Sequence, residues 1–273
     1  MRPTARVRNN RVLRNAAKLC QQYLKWFGNA SYKPARNGER WLLNTLSNER
    51  IRTVLDVGAN VGTWSLMAVE MLPEATIYAL EVVPDTAVAL QAQVGQHDRI
   101  RCFNLGLAAH TGTLSLHYHP KASTHATFTD YPHSWAGQRM ECPVMRGEEF
   151  LAREAIRDVD FLKLDVEGAE HLVLQGLEAP LREQRVRLVQ FEYGRANILT
   201  HFLLRDFYEL FAAHGYLVGK IYPDYVDFRD YDLSDEDFLG PNYLACRAGD
   251  GVLATLKRGA APHAALRIQQ SSP

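Results

Sequence analysis

The sequence predicts an α/β fold with a doubly wound, mostly parallel sheet that helices cover on both faces. Short β-rich apolar runs alternate with segments in which apolar residues recur at helical spacing. Strands that alternate with helices pair in parallel through right-handed crossovers, which places helices on both sides of the sheet. The predicted strands are Thr53–Val57, Thr76–Leu80, Ile100–Asn104, Phe161–Val166, Leu188–Phe191, Tyr216–Ile221 and Tyr243–Cys246. The predicted helices are Trp64–Leu72, Asp85–Val94, Ala169–Leu177 and Leu204–His214.

Length and composition favour one domain with extensions at its ends. A chain of 273 residues suffices for a single large α/β core. No apolar run approaches the roughly 20 residues that a membrane-spanning helix needs, which excludes a multi-spanning protein. The 31 basic and 31 acidic residues cancel, so we expect no nucleic-acid partner.

The N-terminal region differs from the rest of the chain in charge. Residues 1–38 contain nine basic residues and no acidic one, and apolar residues between Asn10 and Phe27 recur at helical steps. We favour a basic amphipathic helix whose apolar stripe packs on the main domain; the alternative is peripheral contact with an anionic membrane surface. Residues 1–40 are therefore assigned to a helical extension and connector, 41–248 to the main domain and 249–273 to a flexible tail.

The cysteines and the first residues favour a reducing compartment. The four cysteines lie far apart without a C-x-x-C pair, which argues against a zinc knuckle or a disulfide framework. The N-terminus lacks the uninterrupted apolar core of a secretory signal, although an Arg-rich, acid-poor start is also typical of organellar transit peptides. We expect a cytoplasmic protein, which the membrane alternative would place at the inner face of the membrane. The oligomeric state stays open.

The first predicted strand ends in DVGANVG, a glycine-rich turn ahead of a helix. Gly58 and Gly62 lack the side chains that would keep a ligand off the backbone, and the helix N-terminus offers unpaired N–H groups. The glycines are four residues apart, which does not match G-x-G-x-x-G, and Asp56 would repel a pyrophosphate. An acid at this position suits a ligand that carries a positive charge.

The second predicted strand is followed by Glu81, 19 residues after Gly62. An α/β nucleotide site places at about this distance the carboxylate that accepts hydrogen bonds from both ribose hydroxyls. Adenosine and a cation without a pyrophosphate together describe S-adenosylmethionine. The two turns therefore predict this cofactor.

Three acidic residues lie at the end of the predicted strand Phe161–Val166. Asp165 and Glu167 emerge together at its tip, and Glu170 lies in the first turn of the next helix. We favour a functional role for Asp165 and Glu167, since acids at the end of a buried strand are costly without a task. Glu170 is expected only to accept hydrogen bonds from helix N-terminal amides. The alternative for Asp165 is an ion pair with Lys163.

A fourth acid, Glu192, closes the next predicted strand. Four neighbouring strand ends thus each present an acid or a turn suited to close approach of a ligand. Scattered surface charge would not recur in register in this way, so we expect the strand ends to form one site.

These segments together resemble the FkbM family of S-adenosylmethionine-dependent methyltransferases, within the class I, Rossmann-like methyltransferase group. The resemblance covers about residues 44–247 and depends on VLDVGANVGTWS, ALEVVPD, CFNLGLAAHTGTLSL, FLKLDVEGAEHLVLQGL, QFEYG and PNYLA. It implies a seven-stranded sheet whose last strand is antiparallel. It also implies O-methylation of a small-molecule or glycan acceptor, on a hydroxyl of a glycan, glycolipid or related natural product.

The resemblance also implies roles for single residues. It places Asp56, Gly58, Asn60 and Gly62 at the methionine end of the cofactor, Glu81 at its ribose, Asn104 and Leu105 beside its adenine, and Asp165 and Glu167 facing the methyl group and the acceptor. Two segments depart from the family pattern. Two valines separate Glu81 from Pro84, and MRGEEFL replaces the usual Thr-Leu-Asp ahead of the fourth strand.

The expected chemistry is an in-line displacement in which positioning supplies most of the acceleration. A sugar hydroxyl must lose its proton during or before attack. We predict Asp165 as the base or as a ligand of a divalent cation, with Glu167 and Glu192 in support. If a metal is bound, these three residues are its expected ligands.

A histidine-containing stretch separates the third and fourth predicted strands of the sheet. It contains His117, His119, His125 and His133. A His-x-His metal site is one interpretation, but a strand that leads into an exposed loop is favoured. His125 and His133 are candidates for the acceptor side of the site.

Two other functions share this fold. An NAD-dependent oxidoreductase would need a pyrophosphate turn, which the sequence does not display. A non-catalytic S-adenosylmethionine-binding module would be expected to have lost its carboxylates, yet Asp56, Glu81, Asp165 and Glu167 are all present.

Overall fold

The computed structural model describes residues 8–118 and 138–257, which form one α/β domain with eleven strands in the described residues. The strands are β1 (Thr53–Val57), β2 (Thr76–Leu80), β3 (Ile100–Phe103), β4 (Gly106–Ala108), β5 (Gly112–Tyr118), β6 (Gln138–Arg146), β7 (Val159–Leu164), β8 (Val186–Glu192), β9 (Tyr216–Ile221), β10 (Val226–Phe228) and β11 (Asn242–Arg247). The helices are α1 (Arg11–Phe27), α2 (Glu39–Leu46), α3 (Thr63–Met71), α4 (Pro84–Val94), α5 (Gly147–Arg153), α6 (Glu170–Gly176), α7 (Glu178–Arg182), α8 (Ala196–Thr200), α9 (Leu204–Ala213) and α10 (Leu253–Leu256), with a 3₁₀ turn at Leu233–Asp235.

Eight strands form the central sheet in the order β10-β9-β11-β8-β7-β1-β2-β3. The neighbours from β8 to β3 are parallel, whereas β11 runs antiparallel to both β8 and β9. The predicted fold class is therefore confirmed, including the antiparallel last strand. All seven predicted strands are present within two residues of their predicted bounds, and β10 adds an eighth at the edge by pairing with β9.

Helices cover both faces of this sheet, as the near-continuous burial of its strands requires. On one face, α2, α3 and α4 pack on side chains such as Phe161 and Leu244. On the other face, α5, α6 and α9 pack on side chains such as Leu164 and Phe191. The carboxyl ends of the parallel strands are left at one edge, where the sequence places its acids.

A second, three-stranded sheet in the order β4-β6-β5 was not predicted as a sheet, although β5 confirms the strand favoured at His117. Its strands β5 and β6 pair antiparallel from Gly112↔Val144 to Tyr118↔Gln138. Leu116 and Cys142 of this sheet pack with Val83, which follows β2. The small sheet thus supports the turn that carries Glu81.

The N-terminal helix is exposed instead of packed on the domain. Asn10 caps α1, since its side-chain oxygen accepts hydrogen bonds from the N–H groups of Val12 and Leu13 at 2.9 and 3.2 Å. None of the residues of α1 is buried, and Trp26 is 76% exposed. The preferred prediction that its apolar stripe packs on the main domain is therefore wrong, because the helical period shows that a face is apolar but not what covers it. Among the described helices, none is long and apolar enough to cross a membrane.

The packed part of the chain continues past residue 248. Val252, directly before α10, and Leu256, at its end, are buried in the core on the α2 side. The predicted tail therefore begins with a packed helical turn, and residues 258–273 lie outside the described residues.

Gly62→Ala is expected to destabilise the domain. The added Cβ would lie 2.4 Å from Val94 Cγ1 and 2.8 Å from Leu90 Cδ1, and the backbone φ of +86° is unfavourable for a residue with a Cβ. We expect the free energy of unfolding, measured with urea, to fall by about 2 kcal/mol. Gly251→Ala is the matched control, since its Cβ would meet no atom within 4 Å. Equal unfolding midpoints for the two variants would contradict the packing role of Gly62.

Candidate active site

A cavity of about 770 Å³ opens at the carboxyl ends of the parallel strands. This volume is typical of a small-molecule site. The charged residues of its wall are mostly acidic: Glu81, Asp165, Glu167, Glu170 and Glu192 face Lys25 and Arg195. The predicted acids at successive strand ends therefore do meet at one site, and the site favours a ligand with positive charge.

Gly58 gives the first turn its close approach to the acidic strand end. Its φ is +81°, and an added Cβ would lie 1.9 Å from the carbonyl oxygen of Asp165. The N–H groups of Gly58 and Ala59 both donate to the carbonyl oxygen of Leu80, at 3.0 and 2.9 Å. The turn is thereby fixed to the ends of both β7 and β2, and Gly58 lines the cavity.

The structure places Asp56 and Gly62 outside the cavity wall. Asp56 is fully buried, and its carboxylate accepts a hydrogen bond from Ser65 Oγ at 2.6 Å and lies 3.3 Å from Lys163 Nζ. Its side chain points to the α2 and α3 face of the sheet because of the alternation along β1. Gly62 faces α4. Both residues support the turn from beneath, and their expected place at the methionine end of the cofactor stays a prediction.

Glu81 connects the first and second turns. Its carboxylate accepts hydrogen bonds from the N–H of Val83 at 2.8 Å and from the N–H of Asn60 at 3.0 Å. Burial raises the pKa of Glu81, although these hydrogen bonds lower it in part. Asn60 has a φ of +50° and lines the cavity beside Glu81. The hydrogen bond from Asn60 thus joins the first turn to the acid that follows β2.

Of the two residues predicted beside the adenine, only one lines the cavity. Leu105 lines the cavity, whereas the exposed Asn104 is not part of its wall. The Asn104 side chain donates to the carbonyl oxygens of Glu81 and Val82, at 2.9 and 3.1 Å. Asn104 therefore holds the loop, and an apolar wall of Val82, Leu107 and Leu116 joins Leu105.

The turn after β7 brings three acids together. Asp165 Oδ2 lies 3.1 Å from Lys163 Nζ, so the alternative ion pair of Asp165 is present, while its side chain stays 35% exposed. Glu167 has a φ of +51°, a strained conformation that is concentrated at functional sites. Burial, followed by the charges of Asp165 and Glu170, raises the pKa of Glu167 to about 8.

Glu170 supports the same turn from within. Its Oε1 accepts hydrogen bonds from the N–H groups of Val166 and Gly168 at 3.1 and 3.3 Å, as the prediction of an amide-binding role requires. Within the described part of the chain, its buried Oε2 has no hydrogen-bond partner. Burial raises the pKa of Glu170 to about 7, against the effect of the backbone hydrogen bonds.

A polar row crosses the sheet beneath these acids. Asp56, Lys163 and Gln190 are in direct register on β1, β7 and β8. Gln190 Nε2 donates to Glu39 at 2.7 Å. Burial alone would lower the pKa of Lys163, but the surrounding carboxylates, Asp165 and Asp56 first, raise it above its ordinary value. Lys163 therefore remains an ammonium in the centre of the sheet.

Glu192 completes the acidic side of the cavity at the end of β8. Burial and the charge of Asp165 raise its pKa well above the ordinary value. The predicted catalytic residues Asp165, Glu167 and Glu192 are thus in one wall. Burial among neighbouring carboxylates therefore raises the pKa of both Glu167 and Glu192.

Two segments of the cavity wall were not predicted from the sequence. Lys25, Ala30 and Tyr32 enter from the N-terminal extension, and Phe238, Leu239 and Gly240 enter from the loop before β11. No motif marks either segment, because both reach the site only through the tertiary fold.

A metal centre is not assembled by the described residues. None of their His, Cys, Asp and Glu side chains form a group of three or more arranged to hold a metal ion, so Asp165, Glu167 and Glu192 are not placed as a ligand set. All four cysteines are free. The side chain of His117 and the whole of His119, His125 and His133 lie outside the described residues.

Comparison with known families agrees with this geometry. A family model described as the methyltransferase FkbM domain matches residues 56–218, more than half of the chain. The chain belongs to the FkbM methyltransferase family. The matched range begins at Asp56 and contains Gly58, Glu81, Asp165, Glu167 and Glu192. FkbM membership implies S-adenosylmethionine as the methyl donor.

Individual members of the FkbM family and their relatives are distant. The 31-O-demethyl-FK506 methyltransferase FkbM of Streptomyces tacrolimicus is 27% identical over 156 residues, 46% of this chain and 59% of that protein. The 2-O-methyltransferase NoeI of Sinorhizobium fredii is 22% identical over 191 residues, 64% of this chain and 76% of that protein. For most of the curated relatives that it matches, the chain spans at most 60% of their length.

A crystal structure of methyltransferase FkbM from Methylobacillus flagellatus KT is also similar. Its TM-score is 0.42 at 16% identity, over 72% of this chain and 44% of that chain. The fold of this protein is established by its own strand order and not by this similarity.

Glu170 is expected to make the stability of the protein depend on pH. Its pKa of about 7 in the fold lies above the ordinary 4.5, so the stability it contributes is complete below pH 4.5 and is lost as the pH rises through about 7. Glu170→Gln cannot titrate. Between about pH 5 and pH 7, we expect the free energy of unfolding to fall less steeply in the Glu170→Gln variant than in the wild type. The difference between the two slopes is on the order of 1 kcal/mol per pH unit.

Urea unfolding at several pH values measures this difference. Glu178→Gln, whose side chain is 62% exposed, is the control and should follow the wild type. A Glu170→Gln variant with the wild-type pH dependence would show that Glu170 does not fold as the neutral acid.

Proposed function

We propose that this protein is an S-adenosylmethionine-dependent O-methyltransferase that acts on a hydroxyl of a glycan, a glycolipid or a related natural product. The observation that carries the proposal is the acidic cavity, in which Glu81 lies at one strand end and Asp165, Glu167 and Glu192 lie at two others. Family membership supports methyl transfer. The identity of the acceptor is the part that belongs to the proposal alone.

The residues of the cavity fit the cofactor in charge and in shape. Glu81 is a buried carboxylate with acceptor capacity for ribose hydroxyls beyond the two N–H groups that it already binds. Leu105 and Val82 offer an apolar surface to a base, and Gly58 and Asn60 present the turn between them and Asp165. When bound, S-adenosylmethionine supplies a methyl group on a cationic sulfur.

The chain's own residues supply the proton chemistry. The Asp165 side chain is 35% exposed and lines the cavity, so its carboxyl group is within reach of an acceptor hydroxyl whose proton it can accept, while Lys163 Nζ holds Oδ2 at 3.1 Å. The pKa of Glu167, about 8, keeps this acid largely protonated near neutral pH, and the pKa of Glu192 is raised in the same direction. Glu167 can therefore donate a hydrogen bond that orients an oxygen of the acceptor.

Oxygen as the accepting atom is supported by the names of two relatives. The FkbM protein of Streptomyces tacrolimicus is a 31-O-demethyl-FK506 methyltransferase, and NoeI of Sinorhizobium fredii is a 2-O-methyltransferase. A carboxylate base suits a hydroxyl, which must lose its proton as the new bond forms. The acidic wall and the relatives thus favour the same class of acceptor.

Glu81→Gln is expected to weaken cofactor binding. The amide retains one acceptor oxygen and the approximate shape but loses the charge and one acceptor site. By isothermal titration calorimetry, we expect the dissociation constant for S-adenosylmethionine to rise about tenfold or more. Glu74→Gln, a 62% exposed position, is the matched control. Wild-type protein that binds NAD but not S-adenosylmethionine would overturn the proposal in favour of an oxidoreductase.

Asp165→Asn is expected to lower turnover without loss of cofactor affinity. Removal of a general base costs about 100-fold or more in kcat, while the similar size of Asn preserves the cavity. The measurement is transfer of labelled methyl groups from S-adenosylmethionine to glycan and lipid fractions. Asp158→Asn, at a side chain that is 62% exposed, is the matched control. Unchanged kcat would eliminate Asp165 as the base; binding without any transfer by the wild type would favour a non-catalytic module.

A further inference from the structure

The apolar face of α1 is exposed along its whole length. Val12 is 73% exposed, Leu19 is 66% exposed and Phe27 is 67% exposed. Tyr23 packs against Trp26 and Phe27 with ring centroids 5.9 and 6.1 Å apart, so the aromatic side chains form one cluster near the end of the helix. In the described residues, nothing covers this face.

Apolar and charged side chains are completely separated around α1. At 100° per residue, one half of the circumference is apolar and the other is polar and basic. The apolar half contains Val12, Leu13, Ala16, Ala17, Leu19, Cys20, Tyr23, Leu24, Trp26 and Phe27. The polar half contains Arg11, Arg14, Asn15, Lys18, Gln21, Gln22 and Lys25.

The charge of this region selects the surface that the helix fits. Residues 1–38 carry nine basic residues and no acid. A bilayer with anionic lipids offers an apolar layer and negative headgroups at the depth that such a helix requires. Aromatic side chains beside a lysine, as at Lys25, Trp26 and Phe27, are favourable where hydrocarbon meets headgroups.

The C-terminal end of α1 is fixed to the domain next to the cavity. The side chain of the buried Asn29 donates to the carbonyl oxygens of Asn37 and Ile221, both at 2.8 Å. Lys25 and Tyr32, on either side of this anchor, line the cavity. The orientation of the helix therefore determines which way the cavity faces.

We propose that α1 is an interfacial helix that binds the surface of an anionic phospholipid bilayer. Its apolar half, with Val12, Leu19 and Phe27, lies in the outer acyl region, and its basic half, with Arg14 and Lys18, contacts the headgroups. Binding places the rim of the cavity at the membrane surface. This binding does not depend on the proposed methyl transfer.

Flotation of the full-length protein with vesicles tests this proposal. We expect binding to vesicles of phosphatidylcholine with about one third phosphatidylglycerol, much weaker binding to phosphatidylcholine alone, and release by high salt. Leu19→Glu should lower the partition coefficient about tenfold or more, because it places a charge in the apolar half. Gln22→Glu is the matched control, since it adds the same charge to the polar half, and should lower it less than about threefold.

Both substitutions are at exposed positions, so the fold is expected to be retained, and circular dichroism checks it. Absence of wild-type protein from the anionic vesicles would overturn the proposal. Equal loss of binding in Leu19→Glu and Gln22→Glu would also overturn it, because the effect would then be one of net charge alone. A dimer in light scattering that Leu19→Glu converts to a monomer, without vesicle binding, would identify the face as a self-association surface instead.

Discussion

The buried ammonium of Lys163 is the constraint on which the rest of the site depends. An unpaired charge in the interior of a sheet is strongly unfavourable, and Lys163 is only 4% exposed. Asp56 and Asp165 compensate it at 3.3 and 3.1 Å. Because Asp56 is in direct register with Lys163, their ion pair joins β1 to β7, and Asp165 pairs with the same ammonium from the end of β7. The close approach at Gly58 occurs at the same junction.

Burial, and after it the excess of carboxylates around Lys163, raises the pKa values of the outer acids Glu167 and Glu192. Lys163 lies among Asp56, Asp165 and Glu39, and the next acids outwards are Glu167 and Glu192. One cation cannot compensate all of them in a low dielectric, so the outer acids bind protons more readily. A cationic ligand in the cavity would act in the opposite direction and favour their ionised forms. Ligand charge and acid strength are thereby linked in this site.

The sequence was sufficient for seven of the eight strands of the central sheet because these are short, apolar-rich runs, several of which end beside a glycine or an acid. Glu81 and Asp165 were located by the same signal, since parallel strands bring their carboxyl ends to one edge. The alternation along β1 did not predict that Asp56 would point away from the cavity, because a period of two separates two faces without identifying the one that holds the ligand. For the same reason the spacing of Gly62 did not distinguish packing against Val94 from contact with a ligand.

The small sheet and the N-terminal helix show a different limit. The strand β4 has only three residues, and β5 contains no continuous apolar run, so neither gave a clear sheet signal. The amphipathic period of α1 was evident, but its environment was not, since a core and a bilayer select the same pattern. Only the tertiary structure shows that the core of this domain does not cover the apolar face of α1.

Part of the cavity wall lies outside the residues that the family model matches, so family membership does not identify the acceptor. Residues 56–218 match the family model, but Tyr32 and the loop Phe238–Gly240 lie outside that range and line the same cavity. A Cβ placed at Gly194 or Gly240 would lie 3.7 Å from the Tyr32 hydroxyl oxygen, so the two segments meet beside the end of β8. Changes there can reshape the cavity while Asp165 and Lys163 stay in place. Under the proposed function, specificity for the acceptor is therefore best sought in these flanking segments.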